Sequence, residues 1–191
     1  PRRTLTFLHR SPFALLNVSL HDSRARIQAA AEERSLEMDE ELCRSAQAAL
    51  VQARLRLKEE ISWLPGIEHR EAMELLSKLR HTEDVPEDPA WPLLSRLNLR
   101  AARLEIRGSS FDLDELLRQS CELAEAADEL DAEELLAQIN ADREAARFPL
   151  VSSADAIEEA LREAKRRFTQ ILRDVLDERP SREIVGFMTR A

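Results

Sequence analysis

Six apolar residues near the end of the chain, Ile157, Leu161, Ala164, Phe168, Ile171 and Val175, recur at steps of four, three, four, three and four. That spacing holds one face of an α-helix apolar for about five turns. It cannot serve a strand, whose side chains change face at every residue. The same period returns along much of the chain. Ala72, Leu75, Leu76 and Leu79 share a face of a helix over about 68 to 80, and Leu94, Leu97, Ala101 and Leu104 share a face of the next, which ends at Gly108. With only 3 glycines and no tyrosine in 191 residues, and Ala, Leu, Glu and Arg abundant, the expected fold class is all-α.

The boundaries are marked by caps. Ser11 and Pro12 suit the N-cap and first position of a short helix with Phe13, Leu16 and Val18 inward. Asp22 or Ser23 caps a second helix whose thin stripe is Ile27, Ala30, Ala31 and Leu36. Asp39 opens a long third helix, with Leu42, Ala46, Ala49, Leu50, Ala53, Leu57, Ile61 and Leu64 as its inward face, ended by Pro65-Gly66. Phe111-Asp112-Leu113-Asp114-Glu115-Leu116 and Leu130-Asp131-Ala132-Glu133-Glu134-Leu135 repeat one device, a capping box beside an apolar staple. It predicts two helices meeting near Glu129 to Asp131, with one unbroken helix as the alternative. Ser152 or Ser153 opens the long last helix, whose seam serves either the chain's own bundle or helix–helix association with a partner through 153–178. The apolar Ile184-Val185-Gly186-Phe187-Met188 either tucks into the bundle or continues a longer chain, and Pro1 fits removal of an initiator Met.

Charge is uneven. Residues 112 to 134 hold ten Asp and Glu against one Arg, so the whole net charge of −9 resides there. The remainder balances, which disfavours nucleic acid as a partner, since phosphate contacts need a clustered positive face. Cys43 and Cys121 are too far apart in sequence for a metal-type pair, and Cys43 reads as a reduced core thiol. No run of 18 apolar residues exists to span a membrane and no signal peptide opens the chain, so a cytoplasmic protein is expected.

Catalytic signatures are sparse. His21-Asp22 resembles the His-Asp dyad of all-helical metal phosphohydrolases, which need further His and Asp ligands from other helices, and it falls at a helix cap where Asp22 has a capping role. Glu122, Glu125 and Asp128 share a helical face, as in all-helical nucleotide pyrophosphohydrolases, without the second carboxylate pair such Mg²⁺ sites need. No catalytic, cofactor-binding or metal-ligating residue is assigned, and no cofactor is expected.

Residues 11 to 64 resemble a DnaJ-type J domain. Ser11-Pro12-Phe13-Ala14-Leu15-Leu16-Asn17-Val18 stands where such domains read Asn-Pro-Tyr-x-x-Leu-Gly-Val. Ile27 and Ala31 match inward positions of the second helix, and Ala46, Leu50 and Arg54 match the third, ahead of an acidic residue, Glu59 or Glu60. The His-Pro-Asp of J domains is absent: the loop is Glu37-Met38-Asp39, and Glu32, Glu33 and Glu37 offset Arg24, Arg26 and Arg34 on the second helix. The resemblance implies a degenerate J-like domain at 1–66, loosely like the HscB-type co-chaperones in having helices appended, here a bundle at 67–191, the two possibly packed as one unit. It implies a non-enzymatic adaptor or assembly subunit. The alternatives are an active co-chaperone of a DnaK-type ATPase and a small all-α metal-dependent nucleotide hydrolase. The partner-binding candidates are Glu122, Glu125, Asp128, Glu129, Arg24, Arg26 and Trp63. Trp63 has a second role open to it, closing the bottom of the three-helix core.

Overall fold

A computed structural model describes residues 5–81 and 85–180. Over these residues the chain forms nine α-helices and no strand. They are α1 (Pro12–Leu16), α2 (Arg24–Ser35), α3 (Glu40–Val51), α4 (Ala53–Ile61), α5 (His69–Arg80), α6 (Leu93–Arg107), α7 (Leu113–Asp128), α8 (Ala132–Ala145) and α9 (Ala154–Asp177), with a 3₁₀ turn at Gly108–Ser110 between α6 and α7. The all-α class is thus observed. The apolar segment 184–188 lies outside the described residues.

The caps act in part as the sequence indicates: Ser11 and Ser153 stand at N-cap positions without a side-chain cap bond, and Glu115 accepts from Arg118 and Gln119, so the box expected at Asp112 forms only its Asp half. Backbone N–H groups of Arg26, Leu42 and Glu115 donate to the side chains of Ser23, Asp39 and Asp112. Asp131 accepts from both Glu133 and Glu134 at the head of α8, so α7 and α8 are two helices. Each such bond satisfies a donor that the first turn leaves without a helical partner.

The third helix is different from its expected form. It breaks at Gln52, whose backbone is extended (ψ 115°), and resumes as α4. The break turns the two halves against each other, so no single stripe runs from 42 to 64. Cys43, Ala46 and Leu50 face inward from α3, and Arg56, Leu57, Glu60 and Ile61 from α4. Leu42, assigned to the inward face, is 41% exposed. Leu36, assigned to the stripe of α2, lies just past that helix in the α2–α3 turn and is 87% exposed.

α6 is the central element and is buried on most of its circumference, as expected of a helix with apolar residues nearly all round. Leu99, Ala102 and Ile106 join the core built from α1, α2, α3 and α5. Leu97, Ala101 and Leu104 face α7 and the far half of α9. Leu94 packs with Leu57 and Ile61 of α4, Leu135 and Ile139 of α8, and Ile157 and Leu161 of α9. The first core runs on across residue 66 to Ala146 and Phe148, beyond the end of α8. All six residues of the long C-terminal seam are buried against the chain's own helices.

The passage out of α4 is held by polar groups of α6. The Asn98 side-chain amide donates to the carbonyls of Ile61 (2.9 Å) and Trp63 (2.7 Å), and the Ser95 hydroxyl donates to Pro65 (2.6 Å). Gly66 follows with φ +76°, and a Cβ there would come within 2.5 Å of Pro92. Positive φ and close approach both require glycine at this turn.

Candidate functional site

The most elaborate polar arrangement is an ion triad in the interior. Arg56 and Glu60 stand one turn apart on α4, and Arg143 comes from the last turn of α8. All three are at most 2% exposed. Arg56 Nε donates to Glu60 Oε1 at 2.6 Å, and Arg143 Nε donates to Oε2 at 2.9 Å. The remaining guanidinium donors go to backbone carbonyls: Arg56 to Leu20 (2.6 Å), Arg143 to Ala53 (2.9 Å) and Pro149 (3.0 Å). Arg56 also lies 3.9 Å from the ring centre of Phe148 and 5.6 Å from that of Phe13. Burial pushes the Glu60 carboxyl up and the Arg56 guanidinium down from their ordinary values, while the opposite charges pull each back. Two of the carbonyls served flank the break at Gln52, since Arg56 also reaches that of Leu50 (3.5 Å). Of these two, the Leu50 carbonyl is one that the interrupted ladder at the end of α3 leaves open, and there the Arg56 guanidinium supplies a donor. Every group in the triad is occupied within the protein and screened from solvent, so its role is to join α4 to α8.

The resemblance to J domains pointed to Arg54 and to Glu59 or Glu60. Glu60 carries the contact, but Arg56 makes it, and Arg54 is exposed. Arg143 was missed altogether. A signal existed: Leu135, Ile139 and Arg143 fall at steps of four on the inward face of α8, which places an arginine among core positions.

The candidate partner residues scatter over the molecule. Trp63 is 2% exposed and stacks on Phe13, ring centres 5.7 Å apart. It takes the core role, and as a surface anchor it is corrected: the indole is enclosed between α1 and the turn that α6 braces. Arg24 and Arg26 are exposed on α2, Arg24 lying 5.2 Å from the Phe148 ring centre and Arg26 3.3 Å from Glu33. Of the acidic group, Glu122 accepts from Arg118 at 2.7 Å and lies 3.9 Å from Arg100, and Asp128 accepts from Lys165 of α9 at 2.8 Å. Glu125 and Glu129 are exposed. The acidic face is therefore partly neutralised by the chain's own bases, and no three His, Cys, Asp or Glu among the described residues could hold a metal ion together. His21 pairs with Asp142 of α8 at 2.8 Å, while Asp22 caps the backbone N–H of Ser19 at 2.7 Å, so the two members of the dyad turn to different partners. Cys43 is buried and free, Cys121 exposed and free.

Replacing Glu122, Glu125, Asp128 and Glu129 together with Gln is expected to leave the helical circular-dichroism signal intact, since exposed ion pairs contribute about 0–1 kcal/mol each. Association with a captured partner should slow and lose part of its salt dependence. An unchanged rate and salt slope would reduce the four to a solvated face.

Apolar side chains gather at the α2–α3 turn and beside it. Leu36 projects into solvent from the turn, and Met38, two residues on, faces a groove of about 610 Å³ that α5 closes on the other side. Among the described residues no helix is long and apolar enough to cross a membrane. Comparison with protein-family models, with curated proteins and with solved structures found no match.

Proposed function

We propose that the protein is a non-enzymatic, cytoplasmic adaptor or assembly subunit, built on a J-like scaffold that lacks the ATPase trigger and contacts a protein partner through the α2–α3 turn. The observation that carries this reading is Leu36. A large apolar side chain stands 87% exposed at the turn where J domains, by resemblance, carry His-Pro-Asp. Solvent exposure of one leucine is ordinary, but Leu36 lies in sequence between Arg34 and Met38, both of which line a largely apolar groove, and apolar surface exposed together marks interaction sites. The polar groups best arranged for chemistry, Arg56, Glu60 and Arg143, are spent inside the protein, which supports binding over catalysis.

Two measurements test the proposal. Titrated into a DnaK-type ATPase, the protein is expected to leave steady-state hydrolysis unchanged. A several-fold rise at micromolar concentration would make it an active co-chaperone. Affinity capture from the native cell should retain a partner on the wild-type chain and lose it on Leu36→Asp, a surface change expected to alter stability by no more than about 0.5 kcal/mol. Undiminished capture by Leu36→Asp would remove the turn from the interface.

A further inference from the structure

The groove beside the α2–α3 turn has a composition that distinguishes it from the other concave surfaces. Its floor and walls are apolar: Leu5 before α1, Ala14 and Leu15 of α1, Met38 of the turn, Met73 and Leu76 of α5. Two of the chain's three methionines line it. Methionine is flexible and polarizable, and surfaces rich in it adapt to varied apolar side chains. The polar residues lining the groove are Ser77, two histidines and two arginines, Arg34 and Arg80. No carboxylate lines it among the described residues, in a chain with 37 Asp and Glu. The groove between α7 and α9 carries Asp128, and the hollow around His21 carries Glu68 and Asp142.

The walls are pinned. Arg34 Nε donates to the Leu15 carbonyl at 3.1 Å, tying the end of α2 to α1, and Arg34 Nη1 donates outward to Glu37 at 2.9 Å. His9 Nε2 donates to the Leu76 carbonyl at 2.9 Å, and His9 Nδ1 accepts from the backbone N–H of Thr6 at 3.1 Å. A ring that donates at one nitrogen and accepts at the other is the neutral tautomer. Burial pushes the His9 imidazole down from its ordinary value, in keeping with that geometry. The positive charge offered by the walls comes chiefly from Arg80, since Arg34 shares its charge with Glu37. A preformed apolar slot with cationic edges loses little freedom on binding and favours ligands of opposite charge.

We infer that this groove docks a short acidic amphipathic segment of a partner protein, its apolar side chains against Met38, Met73 and Leu76 and its carboxylates toward Arg80. The inference deepens the adaptor reading and rests on it by naming the chemistry of the partner. A volume of about 610 Å³ accommodates a few side chains, the scale of a peptide anchor. Charge complementarity selects the occupant: the chain as a whole is acidic, yet this surface presents bases over an apolar floor.

The test uses the full chain and three short synthetic peptides: one of leucines at helical spacing interleaved with Asp and Glu, one with Lys in place of the acids, and one with Ser in place of the leucines. Binding is read by fluorescence anisotropy and by NMR of methyl-labelled methionine. The acidic leucine peptide is expected to shift the Met38 and Met73 signals and to bind about fivefold or more tighter than either counterpart. Arg80→Glu, exposed on the last turn of α5, should weaken it about fivefold with the circular-dichroism signal unchanged, while Arg70→Glu, at the opposite end of α5, should not. Absence of methionine shifts up to about millimolar peptide, equal binding of the lysine peptide, or indifference to Arg80→Glu would each overturn the inference. Self-association that Arg80→Glu abolishes, with no peptide binding, would also overturn it and give the groove to a second copy of the chain. Failure of the peptides with partner capture still lost in Leu36→Asp would sink the groove and spare the adaptor. Peptide binding without any captured partner would do the reverse.

Discussion

Glu60→Gln is expected to be among the most damaging single substitutions in this protein, costing about 3–5 kcal/mol. Glu60 is the one carboxylate in the buried triad, bonded to both guanidiniums. Gln keeps the shape and one acceptor but removes the negative charge, leaving Arg56 and Arg143 as two buried cations side by side. Arg143→Met should cost less, because it leaves the neutral Arg56–Glu60 pair one turn apart on α4. For a chain of this length each kcal/mol moves the melting temperature by about 2–4 °C, so Glu60→Gln should lower it by about 10 °C. Because the triad joins α4 to α8, the loss should appear in one cooperative transition. The order of the two variants is the discriminating result. If Arg143→Met is the more harmful, or Glu60→Gln falls within 1 kcal/mol of wild type, the carboxylate is not the hub of the triad.

Leu50→Ala should cost about 2–5 kcal/mol, while Leu42→Ala should stay within about 0.5 kcal/mol. Leu50 is fully buried at the last turn of α3, in the core that holds Phe13, Ile27 and Trp63, and truncation there opens a cavity its neighbours fill only in part. Leu42 is on the first turn of the same helix and 41% exposed. Chemical denaturation of both variants checks the register of α3. Equal losses would return both residues to one buried stripe and remove the helical phase described here.

Much of the helical order was legible in the residues. Ser23, Asp39, Asp112 and Asp131 mark helix starts because a side-chain oxygen a few residues from an orphan N–H is a local signal. The faces of α5, α6 and α9 follow from 3.6-residue periodicity, and the turn between α7 and α8 from a repeated capping box. The candidate site was less legible. The carboxylates of α7 stand on the surface as their charge requires, yet their pairing with Arg100, Arg118 and Lys165 depends on neighbouring helices as well as on α7 itself. The groove draws its lining from the N-terminal turn, α1, the α2–α3 turn and α5, so no single segment advertises it.

What the sequence alone determined is the all-α class and most helix limits, since periodicity, caps and Pro65-Gly66 act over four residues or fewer. Only the tertiary structure decided where the third helix breaks and which charges lie inside. Gln52 carries no breaking signal of its own, and local pattern favours a continuous helix through it. The two sides of the molecule are tied across this region from afar: Arg143 reaches the Ala53 carbonyl from 90 residues away and the Glu60 carboxylate from 83. A buried arginine is tolerable only when its charge is matched and its donors are filled, and the groups that match it come together only once α8 is docked.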